Sequence, residues 1–203
     1  MTTQLLDRHG TRVRPMQRLV GDLTLSRMRV HEFCGPARRL LAVLLMAAGT
    51  GPVVWIHPGW RPERLYPDGM RDFAEPGRLI LVRARRPEDL LWSMEEALRS
   101  GAAPLVVAEL PEPPPLTPVR RLHLAAEAGA ETAAALGAEP PLGVILTPET
   151  GGAAGIETRW HCRPWPEGRW RLDRLRARME PPAGWILRRS RSGVEIEGRH
   201  TAQ

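Results

Sequence analysis

No residue of this 203-residue chain is a lysine, and all 29 of its basic side chains are arginine. A Gly-rich phosphate loop of the usual kind ends in a lysine that reaches the β- and γ-phosphates. Arginine presents a planar fork where lysine presents a compact, flexible point charge, so the two do not interchange at a phosphate cradle. The absence argues against ordinary nucleotide hydrolysis, although a GC-rich genome with scarce lysine codons is a second available cause. Cysteine is nearly absent as well. Cys34 and Cys162 stand far apart with no CxxC or His-rich spacing, which points to a reduced, cytoplasmic setting and away from zinc. The longest apolar run, Leu40 to Ala48, is too short to span a bilayer. The first residues carry Arg8, Arg12, Arg14 and Arg18 without an apolar stretch, which is not the pattern of a secretory signal.

What is present is ordinary globular composition, 42% hydrophobic and 26% charged, at a length suited to one α/β core with a small extension. The net charge of +6 is unevenly placed. Residues 1–158 carry equal numbers of arginines and acids, while residues 159–203 carry 11 arginines against 5 acids. A basic end suits an anionic partner such as DNA, RNA or an acidic protein surface. The alternative is an arginine-rich solvated face that follows from codon usage alone.

The pattern predicts an arm or short helix over 1–26, then buried strands at 30–34, 53–56, 79–82, 105–108 and 144–146. Between them fall helices at 38–48, 61–73, 87–100 and from Thr117 or Pro118 to about Leu136. Pro87 sits at the favoured first-turn position, with Glu88 and Asp89 placed to complement the helix dipole. The five prolines of 111–118 mark a loop. This rhythm implies a mostly parallel sheet flanked by helices, with a core over 27–150. Short Trp- and Arg-rich segments then predict a C-terminal antiparallel β extension over 151–190, its first hairpin turning at 164–168, followed by a tail at 191–203.

Several segments carry a family resemblance. His-Glu-Phe-Cys-Gly-Pro-Ala-Arg at 31–38, a helix, and Val-Val-Trp-Ile at 53–56 sit where a RecA-like core has strand, phosphate loop, helix and next strand. Leu-Trp-Ser-Met-Glu-Glu-Ala-Leu-Arg-Ser-Gly at 91–101, Arg-Arg-Leu-His-Leu-Ala-Ala-Glu-Ala-Gly at 120–129 and Thr-Arg-Trp at 158–160 follow in order. Together they resemble the ImuA family, RecA-like proteins of the bacterial damage-inducible mutagenesis cassette, and more faintly SulA-type division inhibitors. The resemblance implies a P-loop NTPase-type core and a role in the SOS response to DNA damage, in error-prone translesion synthesis. The partners it implies are an ImuB-like Y-family polymerase homologue and an error-prone replicative polymerase paralogue, with RecA and single-stranded DNA as further candidates. The SulA-like alternative implies an FtsZ-type partner instead.

Against the chemistry of a phosphate loop, this chain fails at several positions. Gly35 and Pro36 are followed by Ala37, Arg38 and Arg39, with no second glycine. Leu41 is near the expected lysine and Ala42 near the expected hydroxyl. The strand end due to supply a metal-binding aspartate reads Ala108-Glu109, so Glu109 is one place out and is expected to turn to the opposite face. The strand end due to carry a catalytic glutamate reads His57-Pro58-Gly59. The loop therefore reads as degenerate: a pseudo-ATPase with no catalytic residues, cofactor or metal.

Arg38 and Arg39 at a helix start suit an anion, but the favoured reading is that they are surface residues capping an unoccupied site. His31 and His57 are a conceivable acid–base pair, Cys34 a conceivable nucleophile or a small buried turn residue, and Glu95-Glu96 a solvated helix face. The interleaved Arg159, Trp160, Arg163, Arg169, Arg171, Arg174, Arg176 and Arg178 form the candidate surface for nucleic acid or a protein partner. The competing reading puts Trp160, Trp170 and Trp185 in a small core with the arginines merely exposed.

Overall fold

The computed structural model describes residues 14–191 and 193–200. Five strands, β3 (Val30–Cys34), β4 (Val53–Pro58), β5 (Leu79–Ala84), β6 (Leu105–Glu109) and β7 (Leu142–Leu146), lie parallel. β3, β6 and β7 are buried throughout and β4 at most positions, while β5 is buried only at Ala84. The Val, Ile and Leu content of the inner four suits strands covered on both faces, whereas the strand expected to be buried at 79–82 stands at the sheet edge with Ile80 and Leu81 exposed. Between them run α1 (Arg38–Ala47), the single-turn α2 (Pro67–Met70), α3 (Pro87–Ser100) and α4 (Leu116–Ala135). A fourfold C-terminal set follows: β8 (Thr158–Trp165), β9 (Arg169–Ala177), β10 (Ala183–Ser190) and β11 (Gly193–His200). All but a separate two-stranded hairpin, β1 (Met16–Val20) with β2 (Leu23–Ser26), join one sheet in the order β11-β10-β9-β8-β3-β7-β6-β4-β5. β8 runs parallel to β3, and the antiparallel pairing begins between β8 and β9.

Two cores flank this mixed sheet. On one face α1 buries Leu41, Leu44, Leu45 and Met46 against Phe33, Trp55 and Val107, and the same cluster continues into Trp160, Leu172 and Trp185. On the other face α3 and α4 pack Leu90, Met94, Leu98, Leu122 and Ala126 over Ile56, Val106 and Ile145. Fully burying a leucine or isoleucine contributes roughly 1.5–3 kcal/mol, so both faces draw on the same driving force.

The structure corrects several expectations. Residues 16–26 form a hairpin whose Leu19, Val20, Leu23 and Leu25 cover the α1 face; residues 1–13 of the expected arm lie outside the described residues. The helix expected over 61–73 contracts to Pro67–Met70, because Pro67 can only begin a helix and so cuts the segment in two. The expected tail contains β11, which pairs with β10 and packs Val194 and Ile196 against the core. Ser192 and residues 201–203 lie outside the described residues. No helix among the described residues is long and apolar enough to cross a membrane.

Candidate functional site

In an open α/β sheet the crevice beyond the carboxyl ends of the strands is where ligands bind, and β3, β4, β5, β6 and β7 all deliver their ends there. β3 ends at Cys34, and Gly35 turns the chain with φ of 85°. A Cβ at Gly35 would lie 2.5 Å from the Cys162 carbonyl oxygen and 2.7 Å from His161 Nε2, so only glycine fits against β8. The Ala37 N–H, which in a phosphate loop would point at the ligand, instead donates to that Cys162 carbonyl at 3.0 Å. The loop is thus closed by the chain's own β8 strand. Leu41 and Ala42 are fully buried in α1; the positions due to hold a lysine and a hydroxyl face the core.

Glu109 is not turned away from this region, contrary to the register expectation. Along β6, Leu105 and Val107 face the α1 core while Val106 and Ala108 face α3 and α4, so alternation brings Glu109 to the α1 side. There its carboxylate accepts Arg39 Nη2 at 2.6 Å and the Trp55 indole N–H at 2.9 Å. Glu109 and Arg39 therefore neutralise each other. Arg38 folds back so that Nη1 donates to the Gly35 carbonyl at 3.0 Å. Burial first, and the adjacent Arg39 second, lower its pKa from the usual arginine value.

Beside the loop lies a second buried network. Glu32, on β3 and wholly buried, accepts the Thr147 hydroxyl at 2.7 Å, the Gly152 N–H at 2.9 Å, the Ala153 N–H at 3.2 Å and the Arg159 guanidinium. It pins the Gly-rich loop that leads from β7 to β8. A Cβ at Gly151 would stand 2.7 Å from Glu32 Oε1, so the glycines of this loop serve close approach to a carboxylate of the same chain.

The other candidates separate. His31 and His57 lie on strands with β7 and β6 between them and do not meet. His31 is fully buried: Nδ1 accepts the Thr158 hydroxyl at 2.7 Å, and Nε2 donates to the Ser26 carbonyl at 2.9 Å. Burial holds its pKa down to about 4, so it is a neutral structural imidazole. Cys34 is buried and its thiol pKa is raised to about 12, chiefly by burial and then by Glu32. Glu95 is not solvated as expected; it is buried between Arg99 of its own helix at 2.6 Å and Arg121 of α4 at 2.7 Å. The sequence gives no sign of this, because the partner Arg121 reaches Glu95 only once α3 and α4 pack. Among the described residues no group of three His, Cys, Asp or Glu could hold a metal.

The C-terminal arginines are dispersed by the pleat. Trp160 and Trp185 are buried, 5.7 Å apart between ring centroids, and the Arg174 guanidinium packs on both rings. Arg159 is held by Glu32, Arg171 by Asp173 at 2.9 Å, and Arg169 by Glu167 and Glu197. Arg163 packs on Trp165, while Arg176 and Arg178 are exposed. The run that looks continuous in sequence is therefore split between a Trp-lined core and a face on which acids interleave.

Fold and site together define an α/β protein whose helix-flanked parallel sheet is continued by antiparallel strands, and whose first strand–loop–helix turn is packed shut by its own chain. No family model matches the sequence. It is 33% identical over 156 residues to Protein ImuA of Caulobacter vibrioides, in both strain NA1000 / CB15N and strain ATCC 19089 / CIP 103742 / CB 15. The match covers 70% of this chain and 62% of the relative, so the chain spans under two thirds of the length of the curated relatives it matches. This likeness supports an assignment to the ImuA family.

Proposed function

We propose that this chain is a non-catalytic accessory protein of damage-induced, error-prone translesion DNA synthesis, built on a RecA-like core and acting through contacts instead of turnover. The family assignment supports the setting in DNA-damage mutagenesis. The succession of β3, the Gly35 turn and α1 supports the RecA-like reading, because a phosphate-binding core has that strand–loop–helix unit. The single observation that carries the non-catalytic reading is the Ala37 N–H bonded to the Cys162 carbonyl, with Arg39 on Glu109 beside it. A phosphate and its Mg²⁺ would have to displace both.

On this reading the sheet supplies a rigid frame for an adaptor in the cytoplasm, and its partners are an ImuB-like polymerase homologue and an error-prone polymerase paralogue. Calorimetry with Mg²⁺–ATP is expected to show no binding; micromolar Mg²⁺-dependent affinity would overturn the inactive reading. A pull-down with the full chain from mitomycin-treated cells is expected to recover the polymerase partners. Recovery of a division protein alone would replace the adaptor reading with that of a division inhibitor.

A further inference from the structure

A cluster of uncompensated positive charge lies at the carboxyl edge of the sheet, apart from the Arg-rich C-terminal strands. Here β4 and β5 end side by side, with His57 opposite Arg83 and Pro58 opposite Ala84. The turn after β4 is fixed to β5: the Gly59 N–H donates to the Ala84 carbonyl at 2.8 Å, and Arg83 Nη2 donates to the Gly59 carbonyl at 3.0 Å. A Cβ at Gly59 would meet that Ala84 oxygen at 2.6 Å. The turn thus holds Trp60 outward, 45% exposed, over an open groove of about 490 Å³. Its lining consists of Gly59, Trp60, Arg83 and Arg85, with no acid.

The strip continues inward. Arg61 follows Trp60 and lies near enough to Arg38 at the start of α1 for the two guanidinium groups to repel. The acid nearest that inner end, Glu109, is already neutralised by Arg39. Neither Arg61 nor Arg85 is in an ion pair among the described residues. In the C-terminal strands Arg169, Arg171 and Arg174 each have a carboxylate partner, and of the unpaired arginines there Arg163 lies over Trp165 while Arg176 and Arg178 are exposed.

We propose that this groove binds single-stranded nucleic acid, with Trp60 stacking on a base and Arg61, Arg83 and Arg85 contacting successive phosphates. An exposed aromatic face within an acid-free row of guanidinium groups is the combination that holds a single strand without sequence preference. A duplex keeps its base faces stacked inside, so Trp60 favours the unpaired form. The inference stands independently of the adaptor reading, because it rests on the groove alone.

The test is fluorescence anisotropy of a labelled oligothymidylate with the full chain across a salt series, alongside a duplex of equal length. The single strand is expected to bind more tightly than the duplex, with affinity falling as salt rises. Trp60→Ala is expected to weaken binding about tenfold or more, with Trp60→Phe retaining most of it. Arg83→Ala with Arg85→Ala is expected to reduce the slope of log K against log salt by roughly 1.4. All of these side chains are exposed, and the Gly59 N–H bond to the Ala84 carbonyl still holds the turn when the Arg83 side chain is removed, so circular dichroism melts of the variants are expected to match the parent. The proposal is overturned if the oligothymidylate does not bind, or if binding survives both sets of substitutions. It is equally overturned if Arg176→Ala with Arg178→Ala abolishes binding in their place, or if polyglutamate binds as tightly as the oligonucleotide with the same dependence on Trp60.

Discussion

Arg39 and Glu109, 70 residues apart in the chain, form a forked ion pair in which Nε lies 3.1 Å from each carboxylate oxygen and Nη2 2.6 Å from Oε2. The pair occupies the ground between α1 and the end of β6, where a phosphate site would need a free cation and a free carboxylate. Charge of both signs is present, but it is already committed.

Arg39→Ala leaves the Glu109 carboxylate, only 11% exposed, with the Trp55 indole as its remaining partner. A buried acceptor that loses its charged donor costs about 1–3 kcal/mol. Urea unfolding followed by tryptophan fluorescence should show a lower midpoint with an unchanged slope. An unshifted midpoint would mean that the pair contributes nothing and that Arg39 is free to bind ligands.

Glu32→Ala removes the acceptor of the Thr147 hydroxyl, the Gly152 and Ala153 N–H groups and the Arg159 guanidinium together. Breaking a buried pair in this way costs about 3–5 kcal/mol. Glu32→Gln keeps the shape and loses the charge, so its loss should be smaller. Hydrogen exchange gives a local readout: the Gly152 and Ala153 amides should lose protection ahead of the β7 amides. Equal protection in variant and parent would remove Glu32 as the anchor of the Gly-rich loop.

The buried His31 makes stability depend on pH. Its pKa is held down from 6.5 to about 4, first by burial. The unfolded chain therefore binds a proton that the folded chain refuses between those values. Its contribution is fully present above about pH 6.5 and is lost as pH falls toward 4, by on the order of 3 kcal/mol across the window. Thermal melts from pH 7 to 4 should show this fall, and His31→Gln should flatten it. A parent profile no steeper than that of the variant would mean that His31 is protonated in place.

Both cysteines are expected to be inert in the folded protein. Cys34 donates to the Trp160 carbonyl at 3.4 Å, and burial lifts both thiols to about 12. Since the thiolate is the reactive form, a disulfide reagent should report no thiol in native buffer and both in denaturant. Rapid native labelling of Cys34 would revive it as a nucleophile.

Much of the fold was legible because its signals are local. Parallel strands announce themselves as continuous apolar runs, and β3 to β7 fall where those runs fall, but the run at 79–82 did not reveal that β5 is an exposed edge. The β8–β9 hairpin follows from the turn residues at 164–168, with left-handed Glu167 and Gly168. The contraction of the 61–73 helix to α2 was also within reach, since Pro67 stands in its middle. The alternation of Val194 and Ile196 after Gly193 likewise announced β11. The site was legible only as a set of omissions: no lysine, no second glycine, no hydroxyl at Ala42.

The sequence by itself determined the succession from β3 to β10, the missing phosphate-loop chemistry and the excess of arginine, because these depend on residue type and short-range periodicity. Tertiary structure alone decided what each charge does. It brought Arg39 to Glu109, Glu32 to Arg159 and Glu95 to Arg121, which neutralised the candidate groups Arg39 and Arg159 and took Glu95 out of solvent. It left Arg83 and Arg85 without acids beside an exposed Trp60. The physical reason is that a side chain's net charge is a property of its neighbours within a few ångströms. Those neighbours are set by strand order and helix packing, which bring together residues far apart in the chain.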